Sequence, residues 1–294
     1  VQKGGPSRFE MALPPYTKPH ATPNDWVRHL RARGLVVTRP NVAARKIDRI
    51  GYERLRIYFI ARRQVHLPNK PFRAGTTYAQ ILNLYAFDRL LRSICFDVCG
   101  DFEIAFRNSM SEALSQAYGS HPHKAEGAFI SAAARMNALN QLSTVYAKSK
   151  DGRAHNYMRK YGDPVLPPFW MMKEFLTFGA SVKFFKLLSN PVKTTIAASF
   201  GVPTHELFTN WLECLVDLRN ICAHHDRLFN RTFQKQPQRL RSAAVPTAPV
   251  NKLKAILQCL DYLLNQRGIT SDSVAAAQAL INRHPDVSPA EMGF

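Results

Sequence analysis

Apolar residues along this chain recur every third or fourth position, and that spacing predicts helices throughout. Thr22 followed by Pro23 reads as an N-cap and first helical position, with the helix running to Gly34. A second helix is expected from near Pro40 to Gly51, and a third over about 52–63. Ile81, Leu84, Tyr85, Leu91, Ile94 and Val98 mark a helix over 77–99, Gly100 punctuates it, and another follows over 101–118. Further helices are expected over about 126–148, 169–189, 190–200, 204–224, 250–266 and 272–283, with 231–249 as a basic, Pro-containing loop. No period-two run, repeat or low-complexity segment interrupts the pattern. The expected fold class is therefore all-α, a helical bundle of antiparallel neighbours. HLPNKPFRAGT (66–76) is the best boundary. It divides a Pro-rich segment (1–22) and a basic helical region (23–75) from a larger helical bundle (76–294).

Composition narrows the class. Across 294 residues, 46% are hydrophobic and 11% aromatic, values that exclude wholesale disorder. No stretch approaches the apolar length of a membrane span. The first thirty residues carry Pro6, Pro14, Pro15, Pro19 and Pro23 in place of a signal peptide's apolar run. The five cysteines are odd in number and form no CxxC pair, which suits a reducing cytoplasm and argues against a cysteine zinc site.

Charge adds a partner. The formal net charge is +19, and residues 1–75 hold 16 Lys+Arg against 4 Asp+Glu. Such an excess points to an anionic partner, with nucleic acid the default. The candidate RNA-binding residues are Arg45, Lys46, Arg49, Arg54, Arg56, Arg62 and Arg63. Tyr52, Tyr58 and Phe59 lie among them, and each reads either as a stacking platform for unpaired bases or as core packing of its own helix.

Candidate chemistry sits on the 204–224 helix. Phe208, Trp211, Leu215, Leu218 and Cys222 form an apolar stripe, while Glu213, Asp217, Asn220 and His224 lie on the other side. Asn220 and His224 are about 40° apart and Arg219 about 140° from His224, at 100° per residue. An imidazole can take the proton of a ribose 2′-OH or protonate a leaving 5′-oxygen. An arginine fork can bind phosphate oxygens as charge builds on phosphorus, and an asparagine can orient either group. The nucleophile would belong to the substrate, so this chemistry needs no metal, and His224–His225–Asp226 has no partner at a zinc spacing. The same residues also read as an ordinary polar helix face.

LRNICAHHDRLFNRTF (218–233) closely resembles the signature of abortive-infection Abi proteins of the AbiD/AbiF type, typically "RN-x-CAHH-x-RLWN". GLVVTRPNVAARKIDRIGYERLRIYF, FRAGTTYAQILNLYAFDRLLR, FEIAFRNSMSEALSQAYG and YGDPVLPPFWMMKEFLTFG resemble further blocks in the family's order, so the likeness spans about 24–233. These proteins resemble the HEPN superfamily of helical nucleases with an R-x4-6-H motif, also found in type VI CRISPR effectors. The resemblance implies a HEPN-like bundle and a metal-independent, cofactor-free endoribonuclease toxin of phage defence. Arg219, Asn220 and His224 would be catalytic, with His225 and Arg227 as secondary substrate contacts. It also implies a composite site across a homodimer and a structured noncoding RNA as a possible antitoxin. Phe229 stands where the family usually has Trp, and FRNSMSEAL keeps Arg107 and Asn108 without a following His, so it is assigned no catalysis. A non-catalytic RNA-binding module is the alternative, and a DNA-binding regulator a weaker third reading.

Overall fold

A computed structural model describes residues 15–17 and 19–294, so most of the expected Pro-rich segment 1–22 lies outside the described residues. Twelve α-helices follow one another among them: α1 (Pro23–Ala32), α2 (Pro40–Ile50), α3 (Tyr52–Ala61), α4 (Tyr78–Tyr118), α5 (Ala132–Lys148), α6 (Gly152–Lys160), α7 (Phe169–Met172), α8 (Phe178–Leu187), α9 (Asn190–Ala198), α10 (His205–Ala223), α11 (Leu253–Gln266) and α12 (Ser273–Asn282). Outside them, backbone pairing among the described residues is limited to short 3₁₀ turns and isolated bridges. The fold is all-α. No helix is long and apolar enough to cross a membrane among these residues.

The described residues form two compact units that divide between Leu82 and Asn83. In the first, Thr22 and Asp25 make a reciprocal capping box at the start of α1. Val27, Leu30, Ala43, Ile47, Leu55, Tyr58 and Phe59 form its core. Tyr58 and Phe59 are thus core packing, and Tyr52 is stacked on Trp26 at 3.6 Å between centroids. These rings hold their own helices together and are spent as platforms for bases.

In the second unit α6 is a helix the sequence pattern does not mark, and three expected boundaries shift, each for a local reason. The helix expected to stop at Gly100 continues as α4 through Tyr118, about 60 Å in all. Leu91, Cys95, Cys99, Phe102, Phe106, Met110 and Leu114 make one buried stripe across the glycine. A single internal glycine costs about 1 kcal/mol, far less than that burial returns. The helix expected over 169–189 is broken into α7, a 3₁₀ turn at 173–175, and α8. Thr177 takes an extended conformation and caps Ala180 N–H, while the Leu176 carbonyl accepts from Arg107 at 3.1 Å. The 126–148 helix starts late, at Ala132, because Ser131 caps Ala134 N–H. Phe102, Phe106, Phe178, Phe185, Phe200 and Phe208 interlock beneath α10 with centroids 5.3–6.3 Å apart. All five residues of the α10 stripe are buried. Residues 231–249 have no α-helix but are strapped to α10, with Trp211 Nε1 donating to the Gln238 carbonyl at 2.8 Å and Gln238 N–H to Asn210 at 2.7 Å.

Candidate active site

The fixed apolar stripe of α10 determines where its polar residues emerge. Thr204 caps the helix through Leu207 N–H, and His224 closes it as C-cap, its N–H donating to the Asn220 carbonyl at 2.9 Å. His225 then turns left-handed, with φ of 57°. Its N–H reaches the Cys222 carbonyl at 3.1 Å, and the Asp226 N–H reaches Ile221 at 2.9 Å. This is the Schellman ending, with histidine in the position usually held by glycine. The turn displays both imidazoles: His224 and His225 are exposed, as is Asp226.

Arg219 and Asn220 lie together one turn earlier. Arg219 donates from a terminal nitrogen to Asn220 Oδ1 at 3.4 Å, and its guanidinium lies 5.9 Å from the centre of the Phe96 ring. Its Nε is 3.8 Å from a Glu103 carboxylate oxygen, too far for a hydrogen bond, and has no hydrogen-bond partner among the described residues. Glu103 also stands 3.9 Å from Arg107, so one carboxylate serves both arginines. Asn108 accepts from Lys173 at 2.5 Å. The Arg107–Asn108 pair thus ties α4 to the 173–176 turn.

A second tier of residues holds the histidine turn from behind. On α4, Asp88 and Arg92 are one turn apart, form an ion pair, and are both buried. The Asp88 carboxylate accepts the Leu228 N–H at 3.1 Å and the Phe229 N–H at 2.6 Å. Arg92 donates to the Asp226 carbonyl at 3.2 Å. Phe229 is itself buried, edge-on to Phe87 at 6.3 Å, so the phenylalanine fills an apolar site in the "RLFN" block. The resemblance of the FDRLLR block assigns Asp88 and Arg92 no role. An Asp and an Arg four apart within an otherwise apolar stripe were the available signal.

Two hollows flank this constellation. One, of about 630 Å³, is lined by Arg219 and Asn220 together with residues of α5, α8 and the 235 segment. The smaller, of about 310 Å³, is lined by His225, Arg89, Arg92 and Phe96, among others. His224 projects at the helix end and lines neither. Arg227 is half-buried, and its carbonyl accepts from Arg231 at 3.2 Å.

The cysteines are not the nucleophiles of such a site. All five are buried; the hydrogen bond with Cys222 and then burial push the Cys95 thiol well above the ordinary range, and burial and then the Cys222 charge push Cys99 up likewise. Among the described residues, no group of three or more His, Cys, Asp or Glu side chains is gathered as a metal centre requires.

In the first unit, Arg45, Lys46 and Arg49 are exposed along α2, and Arg54 and Arg56 are exposed on α3, Arg56 pairing with Glu53 at 3.0 Å. Arg62 is half-buried. Arg63 differs from the others: it is buried with its guanidinium 4.8 Å from the centre of the Phe72 ring, facing the packed interior.

An all-helical chain whose Arg-Asn-x3-His segment closes a buried helix, braced by an Asp–Arg pair from a neighbouring helix, is the class of protein these features define. A model of the family described as "Abi-like protein" matches residues 45–230, and the chain belongs to that family. Membership supports a role in abortive-infection defence. No curated protein matches the chain, and neither does any solved structure.

Proposed function

We propose that this chain is an endoribonuclease of an abortive-infection system, cleaving RNA by attack of a ribose 2′-OH on the adjacent phosphate. One observation carries the reading: the Arg-Asn-x3-His segment ends α10 in a turn that exposes His224, with Arg219 one turn back beside Asn220 and lining an open hollow. In this mechanism His224 takes the 2′-OH proton as O2′ bonds to phosphorus. The bond from phosphorus to O5′ breaks, and the departing oxygen receives a proton from a second imidazole. Arg219 stabilises the negative charge that builds on the phosphoryl oxygens, and Asn220 orients the guanidinium. The products are a 2′,3′-cyclic phosphate and a 5′-hydroxyl, with no metal or cofactor required.

The second imidazole is supplied by His224 of a second copy, making the working form a homodimer. Leu90, Phe96 and Ile104 are exposed apolar residues on α4, and Phe96 adjoins Arg219. They are the natural surface for that pairing. His225 and Arg227 add substrate contacts. The exposed cations of α2 and α3 hold RNA, including a structured noncoding RNA antitoxin, in the cytoplasm.

The test is cleavage of single-stranded RNA in EDTA by the full chain, its His224→Ala variant and its Arg219→Ala variant. Each substitution is expected to lower the rate roughly 10²–10⁴-fold, with cyclic phosphate ends on the parent's products. Equal rates for all three proteins, or an absolute metal requirement, would sink the assignment, and RNA binding with no cleavage by the parent would favour the non-catalytic module.

A further inference from the structure

The larger hollow extends the Arg219–Asn220 pair into a groove. On α10 it runs from Asn220 back through Val216 to Glu213, about 10 Å of helix. Its other wall is α8, from the capping Thr177 through Gly179 and Ala180 to Lys183 and Lys186, and Lys235 closes one side. Three lysines and Arg219 therefore face a single carboxylate of the lining, Glu213.

The cations are not equally committed. Lys186 pairs with Glu213, and Lys235 with Asp217 at 3.2 Å. Lys183 is exposed and has no carboxylate partner among the described residues. The groove wall near Thr177 is the first turn of a ten-residue helix, where N–H groups and the helix dipole favour negative charge. Gly179 and Ala180 keep that wall low, and Val216 is the nearest neighbour a Cβ on Gly179 would meet, at 3.9 Å. Gln141 spends an amide N–H on the Ala180 carbonyl at 2.7 Å, which fixes its side chain at the rim. A volume near 630 Å³ with small residues on one wall and cations at the rim suits an extended strand of phosphates.

We propose that this groove is a substrate subsite for single-stranded RNA, with Lys183 its uncommitted phosphate contact and Lys186 and Lys235 exchanging their carboxylates for phosphate as the strand enters. The inference rests on the reading of Arg219 and His224 as ribonuclease residues, and it assigns the strand's path beside them. It also places binding charge in the second unit, whose sequence is much closer to neutral than the first.

The experiment separates the two readings by using an RNA that cannot be cut. A fluorescent, fully 2′-O-methylated single strand lacks the attacking hydroxyl, so its anisotropy reports binding whether or not the chain is a nuclease. It is titrated against the full chain and Lys183→Glu, each with and without Arg45→Ala, Lys46→Ala and Arg49→Ala. Charge reversal is expected to weaken binding roughly tenfold and to lower the slope of log affinity on log salt by about 0.7 or more. With cleavable RNA, the same change should raise KM and leave kcat near the parent's. Unchanged affinity and salt slope for Lys183→Glu in both backgrounds overturns the groove. Weakened binding in a chain that never cleaves RNA upholds the groove and rejects the nuclease. Lys183 is exposed on α8, so the variant should fold, which its helical content by circular dichroism will verify.

Discussion

The two units handle charge in opposite ways. The first is small and basic, with most of the net charge of +19 in residues 1–75, and its α2 cations stand in solvent over a core of aliphatic and aromatic side chains. The second is much closer to neutral and puts several charges to structural use: Asp88 with Arg92, Glu103 between Arg107 and Arg219, and Lys173 with Glu174. Diffuse exposed charge gives affinity that salt erodes. Buried, hydrogen-bonded charge gives placement, because its partners are fixed and an unmade bond is costly. The proposed function assigns most of the affinity to the first device and the chemistry to the second, so each should be breakable alone.

The largest effect is expected from the brace behind the histidine turn. Asp88→Ala leaves Arg92 buried without its carboxylate and removes the acceptor for two backbone N–H groups. Breaking such a pair costs about 3–5 kcal/mol. The double change Asp88→Leu with Arg92→Met replaces the pair by apolar volume and should recover much of that stability in urea melts. It should not recover cleavage, because the side-chain hydrogen bonds to Asp226, Leu228 and Phe229 are then gone. RNA binding through the first unit should survive in both variants. A double variant that cleaves like the parent would show that the pair has no part in placing His224.

The complementary break is in the first unit. Changing Arg45, Lys46 and Arg49 together to Ala removes three exposed cations from α2. The expected result is a salt slope reduced by about 2 for single-stranded RNA, with kcat unchanged. An unaltered slope would return this face to an ordinary solvated surface.

How far the sequence revealed this division depends on the kind of signal. Local patterns were fully legible: the Thr22 cap, the α10 stripe and the Arg219–His224 spacing all follow from residues close together in the chain. The basic region was legible too, since charge is additive. Contacts across the chain were not. Asp88 serves residues 140 and 141 positions away, and no local period encodes that. Lys183 and Lys186 on α8 lie about fifty residues from Lys235 in the chain, so their groove exists only once α8, α10 and the 235 strap are packed. The break at 173–177 is invisible in the local pattern for the same reason: Arg107 takes the Leu176 carbonyl from another helix. Arg63 shows the converse, a charge counted as surface that the fold turns against Phe72.

Acid should distinguish the units next. His123 in the second unit is buried with neither ring nitrogen hydrogen-bonded among the described residues, and burial lowers its pKa to about 4. The unfolded chain, with an ordinary imidazole pKa near 6.5, binds that proton more readily. Stability therefore rises with pH across this window and is lost as pH falls from 6.5 towards 4, by about 2 kcal/mol between pH 7 and pH 5. Among the described residues of the first unit the buried cation is Arg63, which stays charged over this range. Hydrogen exchange at pH 5 should thus show the second unit opening first, and His123→Leu should flatten its pH dependence. Equal acid sensitivity in that variant would mean another group governs it.

The smallest effect tests whether strain has been kept for chemistry. In the first unit, left-handed turns after α1 and α2 fall on glycine, Gly34 with φ of 87° and Gly51 with φ of 91°. At the corresponding place after α10 the second unit has His225, a side chain that pays a steric penalty at φ of 57°. His225→Gly should therefore stabilise the chain by up to about 1 kcal/mol in thermal melts. The same change removes the imidazole from the hollow lined by Arg89 and Arg92. If cleavage falls while stability rises, histidine is held there for its contact with RNA, and the strain is part of the site. If stability rises and cleavage is unchanged, the turn needs only its backbone shape, and His225 is removed from the substrate contacts while His224 keeps its role.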